Sequence, residues 1–243
     1  MITTSVIICS YNGEDTVSSA LDSAFQQTLP VDDFEVLFVD DGSTDRTQKI
    51  VESLLPRHPN LRYVRQDPNV GLPSACNIGI EEARGDFIIR LDDDDRFAPD
   101  LLESAVSVLK AGKTDLVYTD RYEGPSGDMM RHLKLDSFNL FRLVAAGTMM
   151  RRDMVRDIGG YRTVFWEEYD LYLRYIQRSG RSPIHIPRPL YYYYRRPGSL
   201  SLTASPESVL AGWEELKGIW GEETLRKFGW SGEDMYILEK TPC

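Results

Sequence analysis

Asp92, Asp93, Asp94 and Asp95 follow directly on the apolar run Phe87–Leu91. Two carboxylates ~4 Å apart repel by about 4 kcal/mol at an effective dielectric near 20, so such a run needs an electrostatic partner. A solvated turn is one answer, with Asp95 or Asp100 facing the dipole of the next helix. Solvation is poorer beside a buried strand, and this favours a hard divalent cation held by oxygen ligands and completed by phosphates. With no histidine or cysteine nearby, magnesium or manganese suits the donors better than zinc. Two more polar clusters close apolar runs, Ser10–Tyr11–Asn12 and Asp40–Asp41–Gly42–Ser43. The sequence carries neither G-x-x-x-x-G-K-[ST] nor a G-x-G-x-x-G after its first strand, which leaves metal-mediated binding of a diphosphate. Asp40 or Asp41 is then free to accept hydrogen bonds from a base or ribose.

A second acidic group, Trp166–Glu167–Glu168–Tyr169–Asp170, opens an amphipathic segment. Carboxylates in the first turn of a helix stabilise it. The same dipole holds a carboxylate ionised, as a general base requires. Both readings stand at this level. His58, His132 and His185 are scattered, so no Ser/His/Asp or histidine–metal arrangement is expected. The tyrosines Tyr191–Tyr194 read as packing on both faces of a strand, with one ring free to stack on a sugar. The stripe Val209, Trp213, Leu216 and Trp220 reads as a face docked on the protein itself, because neighbouring glutamates disfavour anionic lipid.

Elements that position these groups alternate in the first half. Apolar runs at Val6–Cys9, Phe34–Val39, Leu61–Val64, Phe87–Leu91 and Leu116–Tyr118 read as strands. Between them lie helical patterns: Val17, Ala20, Leu21, Ala24 and Phe25; Ile50, Val51, Leu54 and Leu55; Ala75–Ala83 with Pro73 at its start; and Leu101–Leu109. This order gives βαβ units and a mostly parallel sheet covered on both faces. Ligands bind beyond the carboxyl ends of such strands, where the three polar clusters fall. The second half is less regular. Gly124–Asp128 reads as a turn, Phe138–Val144 and Glu167–Arg178 as helical, and Gly147–Met150, Ile184–Ile186 and Leu190–Tyr194 as strands. A last helical stretch, Glu207–Phe228, is interrupted at Gly212, Gly218 and Gly221. The expectation is one α/β domain over 1–243, with a nucleotide-binding half (1–120), an acceptor-binding half (121–204) and a helical extension (205–243).

The chain has 243 residues, with 28 Lys+Arg against 38 Asp+Glu and a net charge of −10. That balance argues against unspecific nucleic-acid binding and against a polybasic membrane anchor. Cys9, Cys76 and Cys243 suggest neither a disulfide framework nor a zinc site. No signal-peptide pattern or apolar run of membrane-spanning length is seen, so a cytoplasmic protein is expected.

Val6-Ile-Ile-Cys-Ser-Tyr-Asn12, Val39-Asp-Asp-Gly-Ser-Thr-Asp45, Asn69-Val-Gly71 and Leu91-Asp-Asp-Asp-Asp95 together resemble, in order and spacing, the signature of glycosyltransferase family 2. Trp166-Glu-Glu-Tyr-Asp-Leu-Tyr-Leu-Arg174 resembles its E-D-x-D-L-x-L-R motif, and Pro189–Arg196 the strand after it. The resemblance runs from about Thr4 to Ser201. It implies the GT-A fold, an α/β/α sandwich, and a metal-dependent, inverting transfer of one sugar from a nucleotide-diphosphate donor to an acceptor hydroxyl. By the same resemblance Ser10 and Tyr11 line the nucleotide pocket, Asp41 with Asp40 contacts the base, and Asp92 and Asp93 belong to the nucleotide site. Asp94 is the principal ligand of a manganese or magnesium ion, with Asp92 beside it. Glu168 falls at the catalytic base, usually aspartate, with Glu167 in reserve. Arg196 stands where many relatives carry a histidine near the metal; it cannot ligate a cation but can bind phosphate. Gly147–Met150 and the Gly159–Phe165 loop shape the acceptor side. The Q-x-x-R-W motif and membrane spans of processive synthases are missing. Acceptors in this family are often glycans or lipid-linked sugars of cell-surface polymers, which leaves peripheral work at the inner membrane face open. The alternatives are a nucleotidylyltransferase, whose G-G-x-G-T loop is absent, and a degenerate sugar-nucleotide or carbohydrate-binding module without turnover.

Overall fold

The computed structural model describes residues 2–125, 129–135, 137–143, 147–196 and 203–231. A nine-stranded sheet runs through it. Strands β1 (Thr4–Ser10), β2 (Phe34–Asp40), β3 (Leu61–Arg65) and β4 (Phe87–Arg90) form a parallel set ordered β3-β2-β1-β4. Every residue of β1 and β2 is buried, the mark of strands covered on both faces. Side chains alternate across the sheet: Val6 and Ile8 pack in one core layer, Ile7 and Cys9 in the other. The first layer is closed by α1 (Val17–Phe25), α2 (Thr47–Leu54) and α4 (Leu101–Lys110). The second is closed by α3 (Leu72–Glu82), α5 (Arg152–Asp157), α6 (Glu167–Ser179), α7 (Pro206–Trp220) and α8 (Glu222–Lys227). The expected α/β/α layering is what the chain adopts.

Beyond β4 the sheet is mixed. β8 (Thr148–Arg151) runs antiparallel to both β4 and β6 (Leu116–Gly124), and β6 pairs in parallel with β9 (Ile184–Tyr194). The short strands β5 (Arg96–Phe97) and β7 (Arg131–Leu133) add antiparallel edges. Because β1, β2 and β4 are parallel and in register, their carboxyl ends deliver Ser10, Asp40 and the aspartate run to one edge.

Several expectations change in the second half. The two strands expected at Ile184–Ile186 and Leu190–Tyr194 are one strand, β9. Its register against β6 jumps from Thr119↔Ile186 to Asp120↔Pro189. Pro187 falls within that irregularity, where a missing N–H is tolerated. Gly212 and Gly218 lie inside α7 and only Gly221 ends it, with φ 74°. Gly212 is needed for packing, since a Cβ there would run into the ring of Phe165. The helical segment expected at Phe138–Val144 is a single 3-10 turn, Leu140–Arg142, and Val144, like Asp128 and Cys243, lies outside the described residues. No helix among the described residues is long and apolar enough to cross a membrane.

Candidate active site

The four aspartates do not share one partner; each has its own. Asp92 Oδ1 accepts from Arg90 Nε at 2.6 Å, and Asp94 Oδ2 lies 2.8 Å from Arg196 Nη2. The Ser10 hydroxyl donates to Asp93, and the Tyr191 hydroxyl donates to Asp95. Asp95 also accepts from the Tyr194 backbone N–H at 2.8 Å, so it ties the run to β9. Burial raises Asp93 to about 6, helped by repulsion from Asp94 and Asp92. Burial also pushes Asp95 up, beyond what its hydrogen bonds offset.

On the nucleotide side, the loop after β1 is held by the loop after β2. Asn12 N–H donates to Ser43 Oγ at 3.0 Å and Gly13 N–H to Thr47 Oγ1 at 2.9 Å. Gly13 lies close under Ser10 and Asp93, where a Cβ would collide with both side chains. The Tyr11 ring stands 53% exposed beside this loop. Asp40 and Asp41, expected to be free for a base or ribose, are buried and engaged. Asp40 accepts from Ser43 N–H (2.8 Å), Tyr63 Oη (2.6 Å) and Arg65 Nη1 (2.9 Å). Both oxygens of Asp41 accept backbone N–H groups, from Val70 at 2.8 Å and Gly71 at 2.9 Å. The Asn69-Val70-Gly71 motif is thus held in place by Asp41, with Gly71 at φ 85°.

The start of α6 lies beside the same strand end. Glu167 Oε1 lies 3.6 Å from Arg90 Nη1, so one guanidinium faces both acidic motifs. Burial raises Glu168 to about 8, with the neighbouring Glu167 charge adding to it. Glu167 is raised too, again chiefly by burial. This corrects the expectation that the helix dipole keeps Glu168 ionised: burial and like charge outweigh it. Asp170, fully buried two residues on, accepts from Arg174 Nε at 2.8 Å and Trp220 Nε1 at 3.1 Å. Arg174 in turn donates to the carbonyls of Ile158 (2.8 Å) and Gly160 (2.6 Å). Behind the glutamates Trp166 stacks on Tyr169 and packs against Trp213 of α7. Helix α7 therefore props the acidic turn from behind.

Sequence reasoning missed Arg90, Tyr191 and the link between two histidines. A charged residue inside the apolar run Phe87–Leu91 was the available signal for Arg90. His132 and His185, far apart in sequence, both reach Asp120, at 2.9 and 2.8 Å. They are brought together by β6, β7 and β9, a pairing that no local pattern carries.

A divalent cation needs hard oxygen ligands, and the carboxylate of Asp94 is of that kind. Its side chain is 22% exposed and its partner Arg196 is 37% exposed, whereas Asp93 and Asp95 answer buried donors. Asp92, expected as a second ligand, accepts from Arg90 through Oδ1. Among the described residues no three Asp, Glu, His or Cys side chains gather into a cage. One carboxylate, with the remaining ligands from phosphates and water, is the way magnesium is held beside phosphorylated substrates. The donor set fits that arrangement on Asp94.

The layered sheet, with its polar edge and the acidic turn beside it, defines a nucleotide-sugar transferase fold of the GT-A type. The model of the family described as glycosyl transferase family 2 matches residues 5–170, and the chain belongs to that family. A poly(ribitol-phosphate) beta-glucosyltransferase of Bacillus spizizenii is 34% identical over 113 residues, covering 46% of this chain and 18% of that protein. A chondroitin synthase of Pasteurella multocida is 36% identical over 128 residues, covering 52% of this chain and 13% of that protein. The chain thus spans under a fifth of the length of these relatives. Among solved structures, residues 1–349 of S. aureus TarS in complex with UDP-GlcNAc share the fold, with a TM-score of 0.77 at 20% identity. The match covers 99% of this chain and 76% of that one. The mannosyltransferase PcManGT of Pyrobaculum calidifontis, in complex with GDP-Man and Mn2+, has a TM-score of 0.65 at 20% identity, covering 82% and 58%.

Proposed function

We propose that the protein moves one sugar from a nucleotide-diphosphate sugar to an acceptor hydroxyl, with inversion at the anomeric carbon. The observation that carries this reading is Arg90, which brings Glu167 and the aspartate run within reach of one guanidinium. That proximity supports a reading in which the base and the donor site adjoin. Ser10, Tyr11, Asp92 and Asp93 belong to the donor pocket, with Asp40 and Asp41 shaping it through their loops. Tyr11 offers an exposed ring for the base to lie against.

Glu168 accepts the acceptor proton as the hydroxyl oxygen attacks the anomeric carbon. The bond from that carbon to the diphosphate oxygen breaks, and the diphosphate leaves with the electron pair. Arg196 offers a guanidinium to its phosphates. A manganese or magnesium ion, when bound at Asp94, supplies positive charge to the leaving group. Glu167 keeps Arg90 in place and is the reserve base. Gly147–Met150 and the Gly159–Phe165 loop shape the acceptor side. One curated relative is named for poly(ribitol-phosphate) and another for chondroitin, which supports a polymeric or lipid-linked acceptor in cell-surface polysaccharide or glycoconjugate synthesis. A lipid-linked acceptor brings a cytoplasmic enzyme to the inner membrane face.

Arg196 in place of a metal-ligating side chain favours one second reading, a sugar-nucleotide-binding module without turnover. A thermal-shift panel of UDP-, GDP- and dTDP-sugars, with and without manganese, tests the donor reading. Stabilisation by one donor class is expected; no shift with any of them contradicts it. For the stereochemistry, a product of retained anomeric configuration contradicts direct displacement.

A further inference from the structure

Asp94 and Arg196 form an ion pair unlike the others in the cleft. Nη2 meets Oδ2 at 2.8 Å, and both side chains are reachable by solvent. Asp92, Asp93 and Asp95 have other donors, from Arg90, Ser10, Tyr191 and Tyr194. No other carboxylate is paired with Arg196 among the described residues, and its buried Nε has no hydrogen-bond partner. Among the described residues the guanidinium is held at this one carboxylate oxygen, which it can exchange for another anion.

A divalent cation on Asp94 and a guanidinium on the same carboxylate oppose each other. The cation must displace a positive charge that already neutralises its ligand. A diphosphate changes the balance, because a guanidinium binds phosphate oxygens in a planar, two-pronged fashion. Drawn to the phosphates, Arg196 leaves Asp94 to the cation.

We propose that Arg196 makes metal binding at Asp94 conditional on the nucleotide diphosphate, so that the free protein holds the ion weakly and the donor recruits it. This rests on the nucleotide-sugar reading above. By linkage the metal raises nucleotide affinity by the same factor that the nucleotide raises metal affinity.

The test is a manganese titration followed by the electron paramagnetic resonance signal of the free aquo ion, with and without UDP, GDP or dTDP. Nucleotide binding without metal is measured beside it by calorimetry. Wild type should bind manganese weakly alone and at least about fivefold more tightly with the nucleotide that it accepts. Arg196→Gln should bind manganese alone about fivefold more tightly than wild type, the factor that a partly exposed ion pair of ~1 kcal/mol is worth. Arg196→Lys, which keeps the charge, should stay near wild type, and circular dichroism checks that both variants fold. Equal manganese affinity in wild type and Arg196→Gln overturns the inference, as does a wild type that binds the ion no better with nucleotide. If nucleotide binds and the coupling is missing, the inference alone fails; if no nucleotide binds, the donor reading fails with it.

Discussion

Arg90 Nε donates to Asp92 Oδ1 across 2.6 Å, from the last residue of a strand that is otherwise apolar. The other end of the same guanidinium faces Glu167 at 3.6 Å. Burying a charge is costly unless it is answered. Asp92 answers it with a hydrogen bond, and Glu167 adds a charge contact to Nη1, which has no hydrogen-bond partner among the described residues. The consequence is that the aspartate run and the acidic turn of α6 share one cation at the end of β4.

Replacing that cation should expose its cost. Arg90→Met leaves Glu167 and Asp92 without their shared partner, and a loss of about 3 kcal/mol at pH 8 is expected in urea unfolding. Because Glu167 is raised by burial, more of it is neutral at pH 5, and the loss should shrink there. Equal stability of variant and wild type at pH 8 contradicts the bridging role.

Glu168, raised to about 8, must be ionised to accept a proton. Values of kcat/KM should therefore climb about tenfold per pH unit below 8 and level off above it. A flat profile between pH 6 and 9 moves the base elsewhere.

Glu168→Gln should lower kcat by ~10²–10⁴-fold while donor affinity stays unchanged. The same variant has a stability signature. A folded-state value of about 8 lies above the ordinary carboxylate range, so the fold favours the protonated acid. That contribution is present at low pH and is lost as pH rises toward 8. Glutamine is neutral throughout, so the variant should melt above wild type at pH 8, and the difference should close near pH 5.

Gly13→Ala places a methyl group against Asp93 Oδ2 and Ser10 Oγ. Overpacking of ~1–3 kcal/mol at the nucleotide loop should weaken nucleotide binding by about tenfold or more in calorimetry. Gly218→Ala, in open space on α7, is the control: binding unchanged and stability raised by up to ~1 kcal/mol.

What the sequence disclosed was local. Strands β1 to β4 and their helices follow from short apolar runs and 3.6-residue periodicity, and the parallel order carries Ser10, Asp40 and Asp92 to one edge. Asp40 and Asp41 look like free acceptors because a sequence does not show what Tyr63, Arg65, Val70 and Gly71 will reach. The acidic turn at Glu167 was visible, but its protonation was not. The helix dipole is a local effect, whereas the burial that overrides it comes from packing distant in sequence. Likewise β9 hides its continuity behind Pro187 and Pro189, which only the bulge beside β6 accommodates.

Release of nucleotide diphosphate from UDP-, GDP- and dTDP-sugars, followed for wild type and Glu168→Gln in parallel with donor binding, tests the central claim most directly. The expected result is that wild type cleaves one donor class at a rate rising up to about pH 8, while the variant binds that donor and leaves it intact. A wild type that binds a donor yet cleaves none at any pH, or a variant that cleaves as fast, contradicts the account.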